Sequence, residues 1–147
     1  MAVNDNDSPQ GIFTDSHHAA SHRFAIFEDD GTSAWLYLTE PNTQKPTAAA
    51  WVYNRIAAPP AKDIQTYRGG SPPAAIGYAS VTALCQSPHT HKWKIIWADD
   101  GNSVAITKDG NPVACIISVP KASYSRELIK DGPWGHLWSD YEFNRVF

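Results

Sequence analysis

Cysteine is nearly absent. Only Cys85 and Cys115 occur in 147 residues, thirty positions apart, with no Cys-x-x-Cys or zinc-type spacing. A disulfide scaffold carries more cysteines in a shorter chain, so both thiols are expected to be free. Charge is also scarce: Asp, Glu, Lys and Arg make up 18 % of the chain, and twelve basic against fifteen acidic residues leave a net −3. That balance argues against an electrostatic grip on nucleic acid. No apolar run approaches the length of a membrane-spanning helix. The first residues, Met-Ala-Val-Asn-Asp-Asn-Asp-Ser-Pro-Gln, lack the basic and apolar regions of a signal peptide. A cytoplasmic protein without membrane contact is therefore expected. The catalytic signatures are missing too. There is no Gly-x-Ser-x-Gly elbow, phosphate loop, dinucleotide fingerprint or His-Glu-x-x-His. Neither enzyme activity nor a cofactor is expected.

What the chain does have is aromatic residues and turns: six Trp, six Tyr and eleven Pro. At this length one domain is expected. Residues 1–22 are polar, with His17, His18 and His22, and read as a disordered N-terminal tail before a β-rich domain at 23–147. Arg23–Glu28 is a strand candidate, followed by Asp29-Asp30-Gly31, whose Asp-Gly pair marks a hairpin. Ser33–Thr39 and Ala49–Ile56 are the next strands. In the first, Trp35 and Tyr37 alternate with Ala34, Leu36 and Leu38, so both faces are apolar and covered. Pro59-Pro60, Gly69-Gly70 and Pro72-Pro73 punctuate a long Pro/Gly-rich insertion at 57–91, with a short strand or helical turn within Tyr78–Gln86.

Three strands then follow as a meander: Lys92–Ala98, Ser103–Thr107 and Pro112–Val119, joined by Asp99-Asp100-Gly101-Asn102 and Lys108-Asp109-Gly110-Asn111. Val113, Cys115, Ile117 and Val119 are expected on one face. Short helices are expected within Ser125–Lys130 and His136–Val146. The fold is expected to be mainly β: an antiparallel twisted sheet or partly open barrel of six to seven strands with one or two short C-terminal helices. A two-sheet sandwich is the alternative.

These elements resemble a small bacterial family without an assigned activity. The resemblance rests on Phe27-Glu28-Asp29-Asp30-Gly31 followed by Trp35-Leu36-Tyr37, and on Ala49-Ala50-Trp51-Val52-Tyr53-Asn54 as an Ala-x-x-(Ile/Val)-Tyr-Asn strand. Trp97-Ala98-Asp99-Asp100-Gly101 and Gly110-Asn111-Pro112-Val113-Ala114 match its later hairpin and strand. It covers roughly residues 24–126 and implies a shared fold, with 57–91 as an insertion.

Each candidate site has a plain structural role beside the functional one. Glu28-Asp29-Asp30 and Asp99-Asp100 read as hairpin chemistry, their carboxylates pointing apart into water; neither has the calcium-loop spacing. His89 and His91, like the tail histidines, lack the ligand set of a metal site, so no metal is expected. The aromatics carry most information. Trp35, Tyr37, Trp51 and Tyr53 read as one aromatic face across neighbouring strands, able to stack on a ligand or anchor a partner, or to form a cross-strand core cluster. Trp35, Trp51 and Trp97 are expected to be largely buried. Trp134 and Trp138, lying among polar residues, are expected to be partly exposed.

The leading functional expectation is a non-enzymatic protein-binding module whose partner is another protein, with an immunity-type, toxin-neutralising protein as one concrete form and homodimerisation as a further option. A carbohydrate- or small-ligand-binding β module is the first alternative. A hydrolase with a site built in loop 57–91 is the second. A broad flat patch favours the protein partner, aromatics along a groove favour a ligand, and a convergent cleft of His, Asp and Ser favours the enzyme.

Overall fold

Turn chemistry decides the topology. Gly31, Gly101 and Gly110 take φ of 91°, 71° and 88°, a region open to glycine and closed to most side chains. They reverse the chain at the three expected hairpins. A computed structural model describes residues 11–68 and 70–147. Strands β1 (Phe13–His18), β2 (Arg23–Asp29), β3 (Ser33–Thr39) and β4 (Pro46–Asn54) form a first antiparallel sheet in that order. Strands β5 (Trp93–Trp97), β6 (Val104–Lys108), β7 (Asn111–Ser118) and β8 (Lys121–Ser125) form a second, with the two-residue β9 (His136–Leu137) added parallel to β8. Helix α1 (Asp140–Val146) follows, started by Ser139, whose side chain accepts the Glu142 N–H.

The fold is mainly β. The sheets pack face to face without closing into a barrel, so the sandwich alternative is the one that forms, with more strands than expected. Phe27, Leu36, Val52, Val104, Ile106 and Ile116 meet in the core between the sheets. The outer faces are covered as well. Ala74, Ala75 and Ala83 of the 57–91 segment, with Leu128 and Trp134, lie over Trp51 on the first sheet. Trp138, Phe143, Val146 and Phe147 lie over Ala105, Cys115 and Ile117 on the second. The apolar residues on both faces of β3 and β7 follow from this cover.

Several expectations are corrected. The part of the expected tail from Phe13 is a strand: β1 pairs with β2 from Phe13↔Glu28 to His18↔Arg23. Residues 1–10 of that tail lie outside the described residues. The inward positions of β1 are Thr14, Ser16 and His18, which are polar because this is the sheet edge, and Ser16 receives the Trp97 indole N–H at 2.8 Å. Within Tyr78–Gln86 there are only isolated bridges, Ala79↔Leu128 and Asn54↔Leu84. Ser125–Lys130 is no helix: Ser125 ends β8, and Leu128 packs over the first sheet.

Three register shifts occur, one of them leaving Thr47 extra between Leu38↔Ala48 and Thr39↔Pro46, and the other two alter which candidate side chains share a face. In β4 the partners are Trp35↔Trp51 and Ala34↔Tyr53, so Val52 is the extra residue. In β7 they are Ile106↔Ala114 and Thr107↔Pro112, so Val113 is extra. An extra residue inverts alternation beyond it. Tyr53 therefore points into the inter-sheet core beside Val52, away from Trp51. Val113 likewise joins the inter-sheet core and leaves Cys115 and Ile117 on the outer face, while Val119 lies beyond the strand and is exposed.

Of the three tryptophans expected in the core, Trp51 is fully buried, whereas Trp35 and Trp97 are half-buried. Trp51→Ala should lower unfolding stability by roughly 3–5 kcal/mol through lost burial and a residual cavity. Trp35→Ala should cost about half as much, since less of its area leaves water on folding. Urea midpoints of the two variants check this ordering.

Candidate functional site

The six candidate aromatics do not form one cluster. Trp35 and Tyr37 stay together on the outer face of the first sheet, their rings stacked at 6.5 Å and 17°. The Trp35 indole donates to Ser33 Oγ at 3.2 Å, and the Tyr37 hydroxyl meets Ser71 Oγ at 2.5 Å. Trp51 shares that face but lies under the 57–91 segment. Tyr53 is turned inward by the bulge. Trp134, expected to be partly exposed, is only 4 % exposed. Its ring packs tilted at 52° against Tyr78, centroids 5.1 Å apart, and its indole donates to Pro72 O at 3.3 Å, because its loop folds back as cover for the first sheet. Trp138 is half-buried on the opposite side of the molecule, between Phe143 and the Arg126 guanidinium, 4.3 Å from its ring.

Beside Trp35 and Tyr37 no hydrophobic cluster among the described residues covers the outer face. Register places Phe13, Glu28 and Trp35 in one cross-strand row, and Asp15, Ile26 and Tyr37 in the next. His17 and Phe24 form the row beyond, with rings 4.6 Å apart. Phe13 is 65 % exposed, and Phe24 and Ile26 are half-buried. This is a contiguous strip of aromatic and aliphatic groups carrying two carboxylates, those of Asp15 and Glu28. Sequence reading missed Phe13 because its strand was assigned to the tail. Phe24 and Ile26 were recoverable from alternation with Ala25 and Phe27.

The acidic turn divides by parity. Glu28 and Asp30 are not drawn into the core as Asp29 is. Asp29 falls on the inward side with Ala25 and Phe27, and its side chain has no exposure. Its Oδ2 accepts the Tyr53 hydroxyl at 2.6 Å and the Arg55 guanidinium at 2.9 Å, and its Oδ1 accepts the Gly31 N–H at 2.8 Å. The expectation that all three carboxylates point into water is thus corrected for Asp29, and inward parity was the signal that could have found it. Gly11 lies against the Asp29 carbonyl, where a Cβ would collide. Burial pushes the Tyr53 hydroxyl far above its ordinary range, and its hydrogen bond to Asp29 and that carboxylate's charge push the same way.

The remaining titratable groups are dispersed. His91 Nδ1 contacts Asp109 Oδ2 at 2.7 Å, and His136 Nδ1 lies 3.3 Å from Asp131 Oδ2, both at the surface. Among the described residues, no three His, Cys, Asp or Glu side chains converge on one point. Both cysteines are free. Burial raises the Cys115 thiol to about 12 and also raises that of Cys85. No described helix is long and apolar enough to cross a membrane.

Removing one partner of a buried ion pair strands the other charge. Arg55→Ala should therefore destabilise the fold by roughly 3–5 kcal/mol. Tyr53→Phe, which loses one hydrogen bond to a carboxylate, should cost about 1.5–3 kcal/mol. Denaturant unfolding of both variants checks the order. The raised groups also fix a pH dependence. Cys115 and Tyr53 keep their protons in the folded chain above the pH at which the unfolded chain releases them, so stability falls as pH rises. For Cys115 the loss runs from the ordinary value of 9.0 to about 12. The melting-temperature gap between wild type and Cys115→Ala should shrink across that window and stay constant below it.

No protein-family model matches this chain, and no curated protein or solved structure matches it either.

Proposed function

We propose that the protein is a non-enzymatic protein-binding module that docks its partner on the outer face of the first sheet. The observation that carries this reading is the strip of Phe13, Phe24, Ile26, Trp35 and Tyr37, fixed side by side by strand register. Contiguous apolar side chains on a surface mark interaction sites. Tyr and Trp serve as anchors because they bring large area with few rotatable bonds. The strip lies across the open outer face of a sheet, and an open face suits another protein better than a small ligand, which seeks concavity. An immunity-type, toxin-neutralising protein is the concrete form we favour, by analogy with its size and acidic charge.

Carbohydrate binding is the second reading, favoured by the stacked Trp35–Tyr37 pair, since sugar faces stack on aromatic rings. The loop-built hydrolase has less support. Ala74, Ala75 and Ala83 of the 57–91 segment are committed to covering Trp51, and its His91 pairs with Asp109.

The test is co-expression with the products of the adjacent genes, followed by size-exclusion chromatography. A neighbouring protein should co-elute with the wild type and be lost with Phe24→Asp and Ile26→Asp, while both variants keep the wild-type circular dichroism spectrum. Co-elution that survives both substitutions would place the interface elsewhere. Binding of an oligosaccharide panel that is abolished by Trp35→Ala would favour the second reading.

A further inference from the structure

The two long sides of the sandwich are built differently. At the β1/β5 side the gap is filled by Trp93, Ile95 and Trp97 of β5. At the β4/β8 side it is not. The inward positions of β4 there are Ala48 and Ala50, which are small. The inward positions of β8 follow from its pairing: Ser118↔Lys121, Ile116↔Ser123 and Ala114↔Ser125. Ser123 and Ser125 thus face the first sheet, with Lys121 exposed at the start of the strand on the same side. Small side chains opposite polar ones leave an opening. It is a cleft of about 310 Å³ that continues into a second volume of about 260 Å³, the two sharing Ala48, Ile116 and Lys121 as walls.

Pro41 and Ala48 supply its accessible apolar lining, with buried Leu38 and Ile116 beneath, and Arg23, Lys121 and Glu40 supply its charges. The two cations are held by neutral acceptors. Arg23 donates through Nη1 to Thr39 O at 2.7 Å and through Nε to Asn102 Oδ1 at 3.0 Å. Lys121 Nζ donates to Thr47 O at 2.8 Å, reaching across the opening to β4. Neither forms an ion pair among the described residues, and the Glu40 carboxylate accepts from Thr43 Oγ1 at 3.4 Å.

We infer that this cleft is a binding site for a small amphipathic monocarboxylate, its head between Arg23 and Lys121 and its apolar body along Pro41 and Ala48. Charge-assisted hydrogen bonds from positioned cations are the strong kind. An apolar pocket with a few convergent polar groups is the usual form of a small-molecule site. Two cations against one carboxylate leave one net positive charge at the rim, which matches a monoanion better than a dianion. At roughly 30 Å³ per water-sized group, the larger volume holds about ten non-hydrogen atoms. This site is separate from the docking face, so either reading can fail without the other.

The full chain titrated with octanoate, followed by calorimetry and amide chemical shifts, tests the inference. Saturable binding is expected, with shifts centred on Ala48, Ile116 and Lys121. Lys121→Glu should weaken it about tenfold, the scale of one charge-assisted contact. Ala48→Phe should abolish it by filling the cleft, and Glu40→Gln should strengthen it. Each variant's melting curve establishes that it is folded, and Lys121→Glu and Glu40→Gln, both at the rim, do not depend on the core tolerating a bulky ring in place of Ala48. Octylammonium binding as tightly as octanoate would overturn the charge assignment, and inorganic phosphate binding as tightly would overturn the apolar one. Binding indifferent to all three variants overturns the site. So does octanoate binding that depends on protein concentration or appears only when residues 1–10 are removed, since a second copy or the chain's own N-terminus would then occupy the cleft.

Discussion

The extra residue at Val52 is the constraint on which the rest of the molecule depends. In a regular strand Trp51 and Asn54, three positions apart, would lie on opposite faces. The bulge puts both on the outer face, where the Trp51 indole donates to Asn54 Oδ1 at 3.0 Å. The same oxygen accepts the Ala74 N–H at 2.9 Å, and Asn54 Nδ2 donates to Ala74 O at 2.9 Å. The Asn54 N–H donates to Ala83 O, and the Asn54 carbonyl accepts the Cys85 N–H, both at 2.8 Å. A buried amide held by several hydrogen bonds fixes its surroundings more tightly than apolar contact alone. One residue thus holds both ends of the loop segment that covers the first sheet.

The same bulge turns Tyr53 inward to Asp29, and Arg55 reaches that carboxylate as well. Asp29 in turn receives the chain before β1, since its N–H donates to Ile12 O at 2.8 Å. Five consecutive residues, Trp51 to Arg55, therefore connect loop, core, first hairpin and N-terminal strand. Such a buried ionic group is weak as a source of net stability, because desolvation offsets most of the attraction. Its effect here is positional: any other register of β4 would bury the Asp29 carboxylate with neither partner.

Much of this architecture was legible in the chain. The Asp-Gly and Asn-flanked turns marked the hairpins, and the apolar alternation of 33–39 and 93–97 marked strands with the correct inward residues. What escaped did so for identifiable reasons. Strand β1 reads as polar because an edge strand needs few apolar contacts, and its partners Trp97 and Arg23 lie far along the sequence or across a turn. The bulges at Val52 and Val113 invert parity without any glycine to announce them, so Tyr53 was grouped with Trp51 and Val113 with Cys115. The role of 57–91 was out of reach because cover is a long-range relation: nothing local links Ala74 to Asn54, or Trp134 to Pro72. The candidate face was half legible, through Trp35 and Tyr37, and the β4/β8 cleft was not, since it consists of small residues that local pattern reading passes over.

Where the covering segment ends also decides what the molecule can do. Its anchors on the first sheet lie on β3 and β4: Ser71 meets Tyr37 and Ser33, Ala74 meets Asn54, and Ala83 and Cys85 flank Asn54. None of these reaches β1 or β2. A cover fastened by Asn54 must stop within the reach of that fastening, and Ser71 at the tip of Tyr37 is its limit. Phe13, Phe24 and Ile26 therefore keep the apolar character of a sheet interior on a surface that the loop does not span. On the second sheet α1 and Phe147 lie over the central strands. Asn54, together with the contacts of Ser80 and Tyr78 to Glu127 and Ile129 and of Trp134 to Pro72, thus fixes a cover centred on β3 and β4, and the proposed docking face is the part of the first sheet beside it.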